Sequence, residues 1–236
     1  MAGDLTAAGP ELHVTPVEQL SARAAARIEA VLADAIADRG SAALALAGGN
    51  TPRPVYEQLA DLPGIRWDRL QVYFGDERAV PPDDPASNYR MARETLLDRV
   101  PVDPVHVHRM LGEAADLDAA ARDYDALLPP ALDLVLLGIG EDGHTASLFP
   151  AHAAVRERAR RVVPVAGPKP PHHRLTVTPP VLEAARTCLV IAAGSAKATA
   201  VARALVGSEP TERCPARLAR NGIWFVDTAA AAALPS

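Results

Sequence analysis

Residues 132–150 read LDLVLLGIGEDGHTASLFP, and their pattern indicates the class of fold. Its first part, from Leu132 to Leu137, is nearly unbroken apolar sequence, and its second part is polar and rich in glycine. A short apolar run of this kind is typical of a strand that is buried on both faces, as in a parallel sheet. The stretch therefore predicts a central strand that ends in a polar loop.

Three other segments repeat this order of an apolar strand and a polar loop. They read LALAGGNT at 44–51, VYFGDER at 72–78 and LVIAAGSAK at 189–197. Before the first of them, residues 18–39 carry apolar side chains at helical spacing, and Gly40 supplies a stop. Strands that alternate with helices predict a doubly wound α/β fold, with a mostly parallel sheet and helices on both faces. The proline-rich residues 165–174 are interpreted as a surface loop, so 1–236 are predicted to form a single domain.

The composition favours a globular protein and excludes several classes of partner. Hydrophobic residues make up 49% of the chain, and the formal net charge of −5 argues against a general nucleic-acid binder. The N-terminal sequence MAGDLTAAGPELHV lacks the pattern of a signal peptide, and no apolar run approaches the about 20 residues that span a bilayer. Cys188 and Cys214 form no disulfide framework. We therefore expect a cytoplasmic protein that binds neither nucleic acid nor membrane.

The four polar loops are expected to meet, because ligands of open α/β sheets collect at the carboxyl ends of the strands. Gly48, Gly49, Asn50 and Thr51 stand between a strand and a helix, where backbone amides can bind a phosphate. Alone, this segment fits a simple helix-capping turn equally well. Lys197 is placed to reach the same phosphate, although an exposed helical lysine is the commoner reading.

Two further segments supply charged candidates. Asp76 and Arg78 follow a strand directly, and an arginine there can hold an oxyanion or a carboxylate, although a solvated turn explains the same residues. Asn88 follows in a predicted loop that could contribute polar contacts. Arg174, after two histidines, belongs either to an anion clamp or to an ordinary basic loop.

Residues 138–143, GIGEDG, match the dinucleotide fingerprint G-x-G-x-x-G, but their context does not. Pro150 follows too soon for a long helix, and arginines at 158–161 stand where an acidic residue for the ribose would be needed. What remains is Asp142, Gly143 and His144 on a turn that is predicted to lead from a strand into a helix. A histidine titrates near neutrality and can act as a general base beside a carboxylate, although a lone histidine is more often a cap or a surface residue.

Other chemistries find no motif in this chain. It has no G-x-S-x-G elbow, no phosphate-binding loop of the G-x-x-x-x-G-K-[ST] type and no zinc-binding spacing of histidines and cysteines. The sequence therefore predicts neither a metal nor a cofactor.

Taken together, the motifs LALAGGNTP, VYFGDERAVPPDDPASNYR, LDLVLLGIGEDGHTASLFP, HHRLTVTPPVL and IAAGSAKA resemble the successive blocks of 6-phosphogluconolactonases, in the family's order. The family belongs to the glucosamine-6-phosphate deaminase-like group, whose fold agrees with the predicted one. The resemblance implies hydrolysis of 6-phosphoglucono-δ-lactone to 6-phosphogluconate in the oxidative pentose phosphate pathway. Deaminases carry a block similar to DGHIAFNEP where this chain has DGHTASLFP, which favours the lactonase. Asn50 departs from the serine that many members have there.

As a hypothesis, the candidate residues take the following roles, and the resemblance supports a position of Arg78 near the reacting end. His144 would be the base that activates water, Asp142 would orient it or hold substrate hydroxyls, and Arg78 would stabilise charge at the carbonyl beside Asp76. The candidate substrate- and phosphate-binding residues are Gly48, Gly49, Asn50, Thr51, Asn88, Gly143, Arg174 and Lys197. A deaminase or isomerase and a non-catalytic sugar-phosphate sensor stay open as alternatives, and the partner is expected to be a small molecule bound by a monomer or a weak homo-oligomer.

Overall fold

A six-stranded parallel sheet is the centre of the computed structural model, which describes residues 9–235. Its strands lie in the order β1-β9-β8-β5-β2-β3, and β4, β7 and β6 form a separate antiparallel sheet. The strands are β1 Glu11–Thr15, β2 Ala42–Leu46, β3 Leu70–Phe74, β4 Asp76–Arg78, β5 Leu134–Gly138, β6 Val162–Ala166, β7 His173–Val177, β8 Cys188–Ala192 and β9 Ile223–Asp227.

Within residues 9–235, six α-helices connect the strands, together with short 3-10 turns. The helices are α1 Val17–Arg39, α2 Arg53–Asp61, α3 Asn88–Thr95, α4 Leu117–Leu127, α5 Pro179–Ala184 and α6 Ala198–Leu205. The 3-10 turns are Trp67–Arg69, Leu97–Arg99, Pro104–His106, Ala153–Arg156, Ser195–Lys197 and Pro215–Ala219. The predicted first helix is confirmed almost to the residue, since α1 ends at Gly40 with a φ of 79°.

Alternate side chains of the central strands pack into two apolar cores, one on each face of the sheet. Leu44 and Leu46 of β2 pack with α1, α2 and α3, whereas Ala43 and Ala45 face the opposite core. That second core contains side chains of α4, α5, α6 and the antiparallel sheet. Because both faces of the strands are covered, every residue of β2 is buried, which explains its continuous apolar sequence. The prediction of a doubly wound α/β fold is confirmed.

The antiparallel sheet corrects one prediction about the chain's organisation. Residues 165–174, interpreted as a surface loop, include the end of β6 and the start of β7, so that only 167–172 connect them. Arg174 pairs in register with both Val165 and Arg78. The mixed polarity of β4 and β7 hid these strands, because neither has the apolar run that marks a buried parallel strand.

Two local predictions were wrong. No helix follows the turn at Gly143; the chain stays irregular up to the 3-10 turn that begins at Ala153. Gly143 has a φ of 91° and Ala146 a φ of 47°, and neither value is helical. Pro150 has no amide hydrogen for a helical hydrogen bond. The backbone from 143 to 150 therefore does not form a regular helix. Asn88, expected in a loop, is instead the first residue of α3.

Within the described residues, no helix combines the length and the apolar character that crossing a membrane requires. Cys188 and Cys214 are both buried and form no disulfide. The structure does not describe residues 1–8 and 236. The predicted single domain, 1–236, extends into these residues, as does the N-terminal segment that lacks the pattern of a signal peptide.

Candidate active site

A cavity of about 360 Å³ lies at the carboxyl ends of the central strands. The four loops that the sequence singled out meet there. The site residues that line it are Gly48, Gly49, Asn50, Thr51, Asp76, Arg78, His144, Arg174 and Lys197. Asn88, Asp142 and Gly143, the other candidates, do not line this cavity.

The glycine loop between β2 and α2 needs its small residues. A Cβ placed on Gly48 would lie 1.9 Å from Asn88 Oδ1, and Gly49 has a φ of 93°, so both positions favour glycine. The fully buried Tyr56 closes the loop, because its hydroxyl accepts a hydrogen bond from the Ala47 amide and donates one to the Ala47 carbonyl, both at 2.8 Å. The sequence analysis missed Tyr56, which reads as an ordinary apolar contact of a helix.

Strand alternation in β4 separates the charged residues of the Asp76-Glu77-Arg78 segment. Asp76 and Arg78 line the cavity, whereas Glu77 is buried on the other side and binds the amides of Asn88 and Tyr89. Burial raises the pKa of Glu77, and these amide hydrogen bonds oppose the rise. Glu77 therefore fixes the start of α3, while its two neighbours face the ligand space.

Asp76 is buried, with both carboxylate oxygens engaged. Asn88 Nδ2 donates to one oxygen at 3.0 Å, and Ser147 Oγ donates to the other at 2.5 Å. Asn88 thus supports Asp76 and the underside of Gly48 rather than contacting the cavity itself. Ser147, which the sequence analysis did not single out, joins the GEDGH segment to β4.

His144 and Asp142 form the contact that their spacing suggested. The imidazole Nδ1 lies 2.6 Å from Asp142 Oδ1, and the backbone amide of His144 donates to the same oxygen at 3.1 Å. Burial disfavours the ionised carboxylate, but the hydrogen bond and the charge of His144 outweigh it and lower the pKa of Asp142 to about 2. With Nδ1 engaged, Nε2 is the ring nitrogen that is left for proton transfer.

Glycines make this histidine contact possible. A Cβ on Gly140 would lie 2.0 Å from His144 Nδ1, and the φ of Gly143 lets the chain reverse between the acid and the imidazole. The His144 ring packs against Phe149, with ring centroids 4.9 Å apart, and its side chain is 30% exposed. The imidazole is therefore held in position and still reaches solvent.

Arg174 is buried beside the cavity without a carboxylate partner. Its Nε donates to the Pro171 carbonyl and its Nη2 to the Lys169 carbonyl, each at 3.1 Å. Burial lowers the pKa of Arg174, the charge of Asp76 opposes this, and the charge of Arg78 adds to it. Arg78 in turn donates to the Ala86 carbonyl at 2.6 Å. Among the described residues, neither guanidinium forms an ion pair, so their positive charges are available to an anion.

Lys197 ends the 3-10 turn that follows Gly194. The buried carboxylate of Asp227, on the neighbouring strand β9, accepts the Gly194 amide at 2.9 and 3.1 Å and thereby fixes the start of this turn. Sequence reasoning missed Asp227, because the contact joins residues 33 positions apart.

A second recess of about 620 Å³, also open to solvent, adjoins the cavity and shares His144 with it. Phe149, Asp142 and the 167–172 connection form its outer wall. His172 and His173, whose contact with a ligand the sequence left undecided, line neither space. Within residues 9–235, no group of three or more His, Cys, Asp or Glu side chains could hold a metal ion.

Comparisons with known proteins identify the family of the chain. The sequence model of the family described as glucosamine-6-phosphate isomerases/6-phosphogluconolactonase matches residues 16–226. The 6-phosphogluconolactonase of Streptomyces coelicolor is 42% identical over 249 aligned residues, which cover 96% of this chain and 95% of that protein.

Solved structures give the same result. The 6-phosphogluconolactonase of Trypanosoma brucei has a TM-score of 0.84 at 30% identity, covering 96% of this chain and 99% of that one. A monomeric glucosamine-6-phosphate deaminase has a TM-score of 0.82 at 25% identity, covering 94% and 99%. As its motifs predict, the chain belongs to the glucosamine-6-phosphate isomerase/6-phosphogluconolactonase family.

Proposed function

We propose that this protein hydrolyses 6-phospho-D-glucono-1,5-lactone to 6-phospho-D-gluconate, the lactonase step of the oxidative pentose phosphate pathway, in the cytoplasm. The observation that carries the proposal is the His144–Asp142 pair, which opens onto a cavity lined by three cations. The names of relatives such as the Streptomyces coelicolor protein support the substrate. A general base beside three cationic side chains that can bind a phosphate suits the hydrolysis of a phosphorylated ester.

His144 acts first as the base. Its Nε2 accepts a proton from a water molecule while the water oxygen forms a bond to the lactone carbonyl carbon, C1. Asp142 holds Nδ1 and stabilises the imidazolium that results. Arg78, which lacks an ion-pair partner among the described residues, stabilises the negative charge that develops on the carbonyl oxygen.

His144 then acts as the acid. The tetrahedral intermediate collapses, the bond between C1 and the ring oxygen breaks, and that oxygen takes the proton from Nε2. The product is an open-chain carboxylic acid that ionises in water. The imidazole returns to its neutral form, so that no cofactor is needed to balance the reaction.

The phosphate is held away from the reacting bond. The amides and side chains of Gly48, Gly49, Asn50 and Thr51 bind it together with Lys197 and Arg174. Binding energy from this non-reacting group positions C1 for attack. Asp76 accepts a substrate hydroxyl at the cavity wall, while Asn88 and Gly143 contribute by shaping the loops rather than by direct contact.

The test is a coupled assay on freshly prepared lactone, with the spontaneous opening subtracted. We expect His144→Ala to lose about 10²–10⁴-fold of the catalysed rate and to keep its affinity for 6-phosphogluconate. His173→Asn is the matched control, since this exposed histidine lies near the site but outside the cavity lining. Near-normal turnover by His144→Ala would overturn the assignment of the base.

The likeness to a glucosamine-6-phosphate deaminase favours one alternative, a deaminase or isomerase. Such an enzyme would release ammonium from glucosamine 6-phosphate and exchange the C2 hydrogen with deuterated water. A sensor would bind 6-phosphogluconate without turning over either substrate. Running these assays beside the lactone assay separates the three functions.

A further inference from the structure

The chain contains only two lysines, Lys169 and Lys197, against 22 arginines. Both lysines line the open recess next to the catalytic cavity. Neither side chain forms an ion pair or a hydrogen bond with another described residue, whereas many of the arginines are paired on the surface. Lys169 is exposed, as an ordinary surface lysine would be. It differs from one in that it lines the recess and lies in an anchored connection.

Lys169 and the other cations of the site do not line the same spaces. Arg78, Arg174 and Lys197 line both the cavity and the open recess, but Lys169 lines the recess alone. The glycine loop, where the phosphate is proposed to bind, lines only the cavity. Lys169 is therefore on the side of His144 that is remote from the glycine loop.

The backbone holds Lys169 over the recess. Its carbonyl accepts a hydrogen bond from Arg174 Nη2 at 3.1 Å, which ties the connection to a buried residue of the cavity. Across the base of the same connection, the Gly167 amide donates to the His172 carbonyl at 2.6 Å. Gly167 also packs against Phe149, since a Cβ there would lie 2.8 Å from the ring. The backbone of the connection is thereby anchored beside the recess that Lys169 lines.

We infer that Lys169 is a specificity-determining residue that binds the carboxylate formed at C1 of the ligand. This inference rests on the proposed function, because that reaction turns an uncharged lactone carbonyl beside His144 into an anion. The charge appears at the end of the ligand opposite the phosphate, on the side where the recess adds one cation to those of the cavity. Lys169 thereby distinguishes the open-chain acid from sugar phosphates that are neutral at C1.

The test compares two ligands that differ only at C1. 6-Phosphogluconate carries a carboxylate there and glucitol 6-phosphate carries a hydroxyl, while the chain and the phosphate are the same. Dissociation constants are measured by calorimetry at fixed ionic strength for the wild type and for Lys169→Met, Lys169→Arg and Lys197→Met. Arg23→Met, on the exposed face of α1, controls for the loss of one positive charge elsewhere.

We expect Lys169→Met to weaken 6-phosphogluconate binding about fivefold, because a partly exposed ion pair contributes modestly to affinity. The affinity for glucitol 6-phosphate should be unchanged. Lys169→Arg should restore most of the difference, and Lys197→Met should weaken both ligands alike. Equal loss for both ligands, or no loss for either, in Lys169→Met overturns the inference. Lactone hydrolysis is measured on the same wild-type sample. An absence of hydrolysis overturns the proposed function. The ratio of the two ligand affinities still tests the role of Lys169 in that case.

Discussion

The site holds two carboxylates in opposite surroundings. Asp76 is 6% exposed, and the side chains of Asn88 and Ser147 donate to its oxygens. Asp142 is exposed, and its side-chain partner is the imidazole of His144. A buried carboxylate with fixed donors holds loops together, whereas an exposed one that binds a single ring can orient that ring during proton transfer. We therefore expect Asp76 to contribute mainly to stability and Asp142 to the proposed proton transfer.

Of the two carboxylates, Asp142 is expected to have the larger effect on turnover, which Asp142→Asn tests. The amide removes the negative charge that stabilises the imidazolium, so the catalysed rate should fall about 100-fold or more. The free energy of unfolding should change by less than about 1 kcal/mol, because the pair is partly exposed. Lactone turnover and urea unfolding measure the two quantities.

Asp123→Asn is the control for Asp142→Asn, since Asp123 is an exposed carboxylate on α4 away from the cavity. It should leave both quantities near those of the wild type. A variant at Asp142 that keeps full turnover and loses stability instead would reverse the roles of the two carboxylates.

Asp76→Ala should have the larger effect on stability. It leaves the buried Ser147 hydroxyl without its carboxylate acceptor and removes one of the two acceptors of Asn88 Nδ2, which keeps the backbone carbonyl of residue 76, so the free energy of unfolding should fall by about 2–4 kcal/mol. Ser147→Ala removes one of these bonds and should cost about 1 kcal/mol. Urea titrations give both values, and an Asp76 variant as stable as the wild type would show that the network contributes nothing to folding.

The sequence predicted the parts of the site that depend on local order. Apolar runs located four strands of the central sheet, and parallel strands bring the loops at their ends to one edge. Asp142 and His144 are two residues apart, so a glycine turn could bring them together. The convergence of the loops and the His144 contact followed from these short-range patterns.

The rest depends on pairs that only the folded chain brings together. Asn88 reaches Asp76 across 12 positions, and Asp227 reaches Gly194 across 33. Neither residue differs in the sequence from an ordinary polar side chain of a loop or a strand end. The short β4 carries only charged residues, which no apolar periodicity can identify as a strand.

Tyr56→Phe tests the part of the site where the phosphate is proposed to bind. The change leaves the buried amide and carbonyl of Ala47 without their partner, so the free energy of unfolding should fall by about 1–2 kcal/mol. Because the glycine loop is closed by this hydroxyl, inorganic phosphate should inhibit the variant less strongly.

Tyr124→Phe is the matched control for Tyr56→Phe, since Tyr124 also binds a buried backbone amide, that of Phe74, at 2.8 Å. It should lose similar stability and keep more of the phosphate affinity. Equal losses of phosphate affinity in the two variants would mean that Tyr56 supports the sheet as a whole and not the glycine loop.

The smallest effect is the pH dependence of the Asp142 contribution to stability. The pKa of Asp142 is lowered to about 2 in the folded protein, below its ordinary value, because His144 favours the ionised carboxylate over the opposing effect of burial. A lowered pKa means that the contribution is complete above the ordinary value and is lost as the pH falls towards 2. The difference in unfolding free energy between the wild type and Asp142→Asn should therefore shrink as the pH falls below the ordinary pKa of the carboxyl group. Urea titrations from pH 7 to 3 measure it, with Asp123→Asn as the reference; a difference that grows in acid would mean that the folded protein favours the protonated form of Asp142.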